Sequence, residues 1–193
     1  MKYYWQWITI CGLAVLAGCG PKGTRIELIS FDDGGVPQHH YAEFPRAYFS
    51  RSPGGSLQLV LRSDRPSNID PTQNITQIVY IKTFWTARPG TTYAEATQIN
   101  SRIQYAMLTP PTGIRYDGGA FLHYKTDRKT KEMVGTIEGG SISPRYRMGN
   151  AADPFGPSRI NGTFRAKEDR GKVAETLQLL ETQFRQSSPT VRN

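Results

Sequence analysis

Cysteine is scarce in this chain of 193 residues, and its two cysteines, Cys11 and Cys19, both precede residue 20. The rest of the chain therefore has no disulfide framework, no cysteine-ligated zinc site and no cysteine nucleophile. Histidine is also rare, since the sequence contains only three. This shortage leaves few residues for a metal site or a nucleophilic triad.

Apolar residues are less frequent than in most globular chains, at 37% of the sequence. Glycine (19 residues) and proline (13 residues) are common, and aromatic residues make up 11%. Many turn formers combined with aromatic residues favour a β-protein over a helical bundle. The length suits one domain with a substantial core.

No apolar run is long enough to cross a bilayer as a helix, which needs about twenty residues. The longest run, residues 7–17, has the length of the apolar region of a secretory signal peptide. Lys2 supplies a positive charge before it, and the small residues Ala17 and Gly18 end it. The pattern predicts a signal peptide over residues 1–18.

Gly18, Gly20 and Gly23 match the spacing G-x-G-x-x-G, which would suit a dinucleotide-binding loop. That motif requires a helix directly after the glycines. The following segment, residues 24–31, instead alternates polar and apolar residues and predicts a strand. The spacing therefore does not indicate a dinucleotide site.

The segment Leu16-Ala17-Gly18-Cys19 resembles the lipobox of bacterial lipoprotein signal peptides. The resemblance implies cleavage between Gly18 and Cys19 and a thioether from Cys19 to diacylglycerol. It also implies a short lipidated tether over residues 19–23 and membrane lipid as a partner. The expected location is the cell membrane or the outer membrane, facing the periplasm or the exterior, and Gly20 favours the outer membrane.

The remaining sequence predicts one β-rich domain over residues 24–186 and a flexible tail over 187–193. Short alternating patterns predict strands at 24–31, 40–50, 56–62, 74–85, 99–108, 113–116, 120–125, 132–139 and 159–166. Pro45 marks an edge or a bulge. Residues 117–119, Asp-Gly-Gly, predict a hairpin turn or a bulge.

The C-terminal pattern differs, because residues 168–186 carry an apolar stripe at helical spacing, formed by Val173, Leu177, Leu180 and Phe184. Asp169 is the expected N-cap. The predicted fold is therefore mainly β: an antiparallel β-sandwich or barrel of about eight strands with one C-terminal amphipathic helix that docks on the sheet.

Residues 139–158 show no clear periodicity and predict a long loop, which is either functional or a mobile connector. Its candidate binding residues are Arg145, Tyr146, Arg147 and Met148. Two guanidinium groups around an aromatic ring suit carboxylates, phosphates or sugars.

No catalytic motif, metal site or cofactor site is expected. His39 and His40 are adjacent and would point to opposite faces of a strand, and no G-x-S-x-G, Walker or H-E-x-x-H pattern occurs. The formal net charge of +8 favours an anionic envelope component or a protein partner, and we expect no nucleic acid.

These features predict a membrane-anchored bacterial envelope lipoprotein with a non-catalytic binding or structural role. Two alternatives remain. One is a small-ligand or lipid carrier with a calycin-like barrel, which would have an apolar cavity. The other is an envelope hydrolase, which would bring acidic residues or His123 together in a cleft.

Overall fold

In the computed structural model, the structure describes residues 23–67, 73–86, 99–127 and 129–185. Nine strands and one helix lie in these ranges. Their bounds are β1 Arg25–Phe31, β2 Pro37–Glu43, β3 Arg46–Arg51, β4 Leu57–Pro66, β5 Asn74–Thr83, β6 Ser101–Thr109, β7 Thr112–Thr126, β8 Met133–Met148, β9 Ser158–Glu168 and α1 Arg170–Arg185.

Seven of the strands close into a barrel in the order β9-β3-β4-β5-β6-β7-β8, because β8 pairs back with β9. The two other strands, β1 and β2, extend the sheet beyond β9. Strand β1 pairs with β9, and β2 pairs with β1. All pairings are antiparallel except β3 with β9. The predicted mainly β fold is confirmed, and of the two predicted architectures the barrel is the correct one.

The barrel interior is filled by the inward face of each strand, as the two-residue period of a strand requires. Val79 and Ile81 of β5 face inward, while Ile78 faces outward beneath the helix. The inward face predicted for β9 is confirmed, since Ile160, Phe164 and Ala166 are buried in the same core.

The helix α1 packs on the outside of the barrel, as predicted. Leu180 and Phe184 contact a second cluster of buried residues, which contains Ile78, Ala106, Leu108 and Met148. The Asp169 carboxylate accepts a hydrogen bond from the backbone N–H of Lys172 at 2.9 Å, so the predicted N-cap is confirmed.

One part of the barrel wall has fewer strand pairings than the rest. The strand β3 meets β9 over two residue pairs, Tyr48–Lys167 and Phe49–Glu168, whereas β1 pairs with the earlier part of β9. Among the described residues, Ser63–Pro66 of β4 pair only with β5, and β2 pairs only with β1. We call the two edges without a second partner, that of β2 and that of Ser63–Pro66, the seam.

Three sequence predictions about the strands are wrong. Residues 40–50 form two strands rather than one, because the chain breaks at Phe44 and Pro45. Residues 117–119 do not form the predicted hairpin turn but lie inside β7, and the β6–β7 turn falls at Pro110 and Pro111. The other structure predicted there, a bulge, agrees with the shift in β7–β8 register between Gly119 and Phe121. The third concerns the predicted loop 139–158, because its first half, residues 139–148, belongs to β8.

Glycine is required inside β7 by close packing. A side-chain carbon at Gly118 would overlap the backbone carbonyl of Ser141 on β8. This glycine therefore allows two strands to approach where the sequence alone indicates a turn.

Other predictions lie outside the described residues. They include the signal peptide 1–18, the tether up to residue 22 and the tail 187–193. The predicted roles of Gly18 and Cys19 therefore stay predictions. Within the described part of the chain, no helix combines the length and apolar character needed to span a membrane.

Candidate functional site

The four predicted binding residues lie on strand β8, not in a loop, and their surroundings differ. Met148 is buried beneath the helix, and Tyr146 stacks on the Arg115 guanidinium at 4.0 Å from its ring centre. Arg147 forms an ion pair with Asp153 at 2.9 Å, and Arg145 is exposed. A shared binding role for the four stays a prediction.

The contact between Tyr146 and Arg115 belongs to the attachment of the helix. The Arg115 guanidinium also lies over the ring of Phe184, at 5.5 Å, and forms an ion pair with Asp117 at 3.0 Å. Asp117 binds Arg102 as well. This network joins β6, β7, β8 and the end of α1, so its charges are already paired within the protein.

The true loop between β8 and β9 is short, and we call residues 149–157 the closing loop. It lies at the barrel end where β6, β8 and β1 finish, which we call the closing end. Its residues Ala151 and Phe155 pack against the barrel core. The loop therefore covers one end of the interior.

Asp153 holds the closing loop in place. One carboxylate oxygen accepts hydrogen bonds from the Tyr116 hydroxyl at 2.6 Å and from the backbone N–H of Gly156 at 2.9 Å. The other oxygen accepts from Arg147 at 2.9 Å. Gly156 has a φ of +59°, a conformation that glycine adopts without strain.

Burial and hydrogen bonding act in opposite directions on Asp153. Burial alone raises the pKa of its carboxyl, but the hydrogen bonds from Tyr116, the loop backbone and Arg147 outweigh it and hold the pKa below the usual value. For Tyr116, burial and then the bond to Asp153 raise the pKa of the hydroxyl. At neutral pH this pair is a charged carboxylate bound by a neutral phenol.

Phe155 forms the centre of an aromatic group at the closing end. Its ring lies 4.9 Å from that of His40, 6.1 Å from that of Tyr105 and 5.9 Å from that of Tyr116. His40 also hydrogen bonds Ser30 at 2.9 Å. Aromatic packing and the Asp153 hydrogen bonds therefore fix the closing loop together.

Three polar side chains lie on the inward face beneath this group. Their exposed fractions are 7% for Ser63, 3% for Gln77 and 1% for Tyr105. Ser63 on β4 pairs with Gln77 on β5. Tyr105 on β6 pairs with Val79, which lies two residues after Gln77 on β5. Burial raises the pKa of the Tyr105 hydroxyl, and the positive charge of Arg65 opposes that shift. Arg65 follows Ser63 by two residues on β4 and so lies on the same face of that strand.

The histidines occupy different places. His39 points outward and binds Glu27 at 2.8 Å, whereas His40 points inward, so the predicted opposite orientation is confirmed. His123 contacts the ring of Phe121 at 5.6 Å. In the described ranges, no group of three or more histidine, cysteine or acidic residues is placed to hold a metal ion.

The inward polar residues were missed from the sequence, although the pattern carried a signal. Gln77 interrupts the apolar face of Ile75, Val79 and Ile81, and Ser63 continues the face of Leu57, Leu59 and Leu61. A polar residue in register with a buried face is a candidate for a buried binding group. Asp153 had no such signal, because its role depends on a partner on another strand.

Comparisons with protein-family models, with curated proteins and with solved structures found no match to this chain.

Proposed function

We propose that the protein is a lipid-anchored envelope protein with a non-catalytic binding role, tethered through Cys19 and carrying its binding site in the barrel. The lipobox-like segment supports the anchor. The observation that carries the proposal is the position of β1. This strand begins at Arg25, so only the five residues 20–24 separate it from Cys19. Five such residues span about 17 Å when extended, so the barrel would lie close to the bilayer.

The surroundings of the tether support this orientation. The hydroxyl of Thr24 donates to the backbone carbonyl of Arg165, and the Arg165 side chain forms an ion pair with Glu132 in the β7–β8 hairpin. That hairpin carries the exposed Lys129 and Lys131. Each lysine near an anionic surface contributes roughly 1 kcal/mol of attraction. The hairpin would face the headgroups, and the closing end would point away from them.

Metabolic labelling with palmitate tests the anchor. We expect label on the wild type and none on Cys19→Ser, because the thioether needs the Cys19 thiol. Cys11→Ser is the matched control, since Cys11 lies inside the predicted signal peptide and should be removed with it. Equal labelling of the wild type and Cys19→Ser would overturn the anchor.

A small-ligand carrier is the second candidate, and the closed barrel favours it. Barrels of this size have an interior that holds side chains or one small ligand. The described core is largely filled by side chains, so the ligand would be small. Native mass spectrometry of protein purified from its own cells would reveal such a ligand as a reproducible added mass, and its absence would count against carriage.

A further inference from the structure

We propose that the barrel interior at the closing end binds a small organic carboxylate through Ser63, Gln77 and Tyr105, with Arg65 at the rim. The inference deepens the binding role proposed above and rests on it, but it does not depend on the lipid anchor. It names a site, a ligand class and the residues that would make the contacts.

The first support is an unmet need for hydrogen bonds. No hydrogen bond joins the hydroxyl of Tyr105, the hydroxyl of Ser63 or the side-chain amide of Gln77 to another residue that the structure describes, although all three side chains are more than nine-tenths buried. A buried polar group without a partner destabilises a fold. A purely structural role would favour apolar residues at these positions.

The second support is that these groups are not sealed in the core. In the described part of the chain, every polar side-chain atom that is fully shut off from solvent has a hydrogen-bond partner. The unpartnered atoms of Ser63, Gln77 and Tyr105 therefore retain some accessible surface. Since all three lie on the inward face, a ligand that meets this surface would lie inside the barrel.

The chemistry of the four side chains selects the ligand. Two hydroxyl groups, a primary amide and a guanidinium together offer many donors. The acidic side chain beside them, Asp153, is already bonded to Tyr116 and Arg147. Donors without a competing carboxylate favour a ligand rich in acceptor oxygens, and the positive charge of Arg65 favours an anion. The apolar neighbours Met107 and Phe155 favour an organic ligand over a bare inorganic ion.

The strand pairings also bear on how a ligand would reach this site. Ser63 and Arg65 belong to the seam, where neither β2 nor the end of β4 has a second strand partner in the described chain. Phe155 of the closing loop covers the same space from the barrel end. A small ligand would enter at the seam beneath the closing loop, and the barrel would not need to open.

Titration of the purified full-length protein with acetate, malate and glucuronate tests the site, with glycerol and glucose as uncharged counterparts. We expect calorimetry or NMR to detect binding of at least one acid at millimolar concentration and no comparable binding of glycerol or glucose. Absence of binding by all three acids would overturn the site. Equal binding of the uncharged compounds would overturn the assignment to a carboxylate.

Tyr105→Phe removes only the hydroxyl and should weaken acid binding about tenfold. Tyr80→Phe is the matched control, because the Tyr80 hydroxyl lies outside the barrel and accepts a hydrogen bond from Gln58 at 3.4 Å. Binding that is unchanged in Tyr105→Phe would overturn the proposal.

A folding measurement separates a binding defect from misfolding. Without ligand, Tyr105→Phe should melt at the same temperature as the wild type or higher, because it loses an unpartnered hydroxyl. A clear fall in melting temperature would mean that the hydroxyl has a structural partner and would also contradict the site. A failure of the proposed lipid anchor would be seen separately, because palmitate labelling tests the anchor and acid binding tests the site.

Discussion

The hydroxyl of Tyr116, inside the barrel, donates a hydrogen bond of 2.6 Å to the carboxylate of Asp153, in the closing loop. The tyrosine is fully buried, while the aspartate side chain is 14% exposed. The bond therefore joins the core to the loop that covers it. It also occupies one oxygen of the Asp153 carboxylate, which stays charged at neutral pH.

Tyr116→Phe should lower the free energy of unfolding by about 1–2 kcal/mol, because it deletes a hydrogen bond to a charged group. Urea unfolding measures the change, and Tyr80→Phe, which loses a longer neutral bond, should cost less. A double-mutant cycle with Asp153→Ala should give a coupling energy of about 1 kcal/mol or more. Additive effects would show that the two residues act independently.

The contribution of Asp153 should disappear in acid. Its folded-state pKa lies below the unfolded value, so the stabilisation is fully present above the unfolded pKa and is lost as the pH falls through the folded one. We expect the difference in unfolding free energy between the wild type and Asp153→Asn to be constant down to about pH 5 and to shrink below about pH 4.

Other carboxylates with lowered pKa values, such as Asp64 and Glu27, are present in both proteins and cancel in that difference. Chemical denaturation at a series of pH values measures it. A difference that stays constant to pH 2 would mean that Asp153 contributes no charge-dependent stability.

Gly118→Ala should destabilise the barrel by about 3 kcal/mol, because the new methyl group meets the backbone of Ser141 and the strands must separate. Gly54→Ala is the control, since its nearest neighbour is the Ser52 hydroxyl at 3.9 Å. Thermal unfolding of both variants measures the contrast. Equal stability of the two would mean that β7 and β8 are not packed as closely as described.

Met148→Ala should lower the free energy of unfolding by about 2–3 kcal/mol, because it opens a space between the barrel and α1. Arg145→Ala should change it by less than about 0.5 kcal/mol, because Arg145 is exposed. This contrast tests the packing of Met148 beneath α1. Wild-type stability in Met148→Ala would mean that Met148 does not contribute to that packing.

Much of the fold follows from local sequence patterns. Alternation of polar and apolar residues predicted the positions of most strands. The apolar stripe at helical spacing, with Asp169 before it, predicted the helix. The prediction of a hairpin turn at residues 117–119 was wrong because Asp-Gly has a second use. Its glycine also lets a neighbouring strand pack closely against the backbone. At Gly118 the neighbour is Ser141, whose proximity no local pattern reveals.

The prediction of a long loop at 139–158 was wrong for a related reason. In the part of β8 that falls inside the predicted loop, residues 139–148, only Gly140 and Ile142 are buried in the barrel, so this stretch lacks the run of large apolar residues that marks a buried face. The candidate site was missed because Ser63, Gln77 and Tyr105 come from three strands. These side chains lie close together because of the register between the strands. That register is determined by strand pairing across the whole sheet, which no local pattern reveals.

The place of β9 in the barrel has a consequence for how the chain folds. Strand β9 lies between strands from both ends of the sequence, and the hydrogen bond from Thr24 to Arg165 joins residues 141 positions apart. Contacts this distant in sequence slow folding, because a long loop must close before they form. During synthesis or export, the three strands that pair with β9 form before it, namely β1, β3 and β8. Until β9 is available, each of them has an unpaired edge that a chaperone would need to protect.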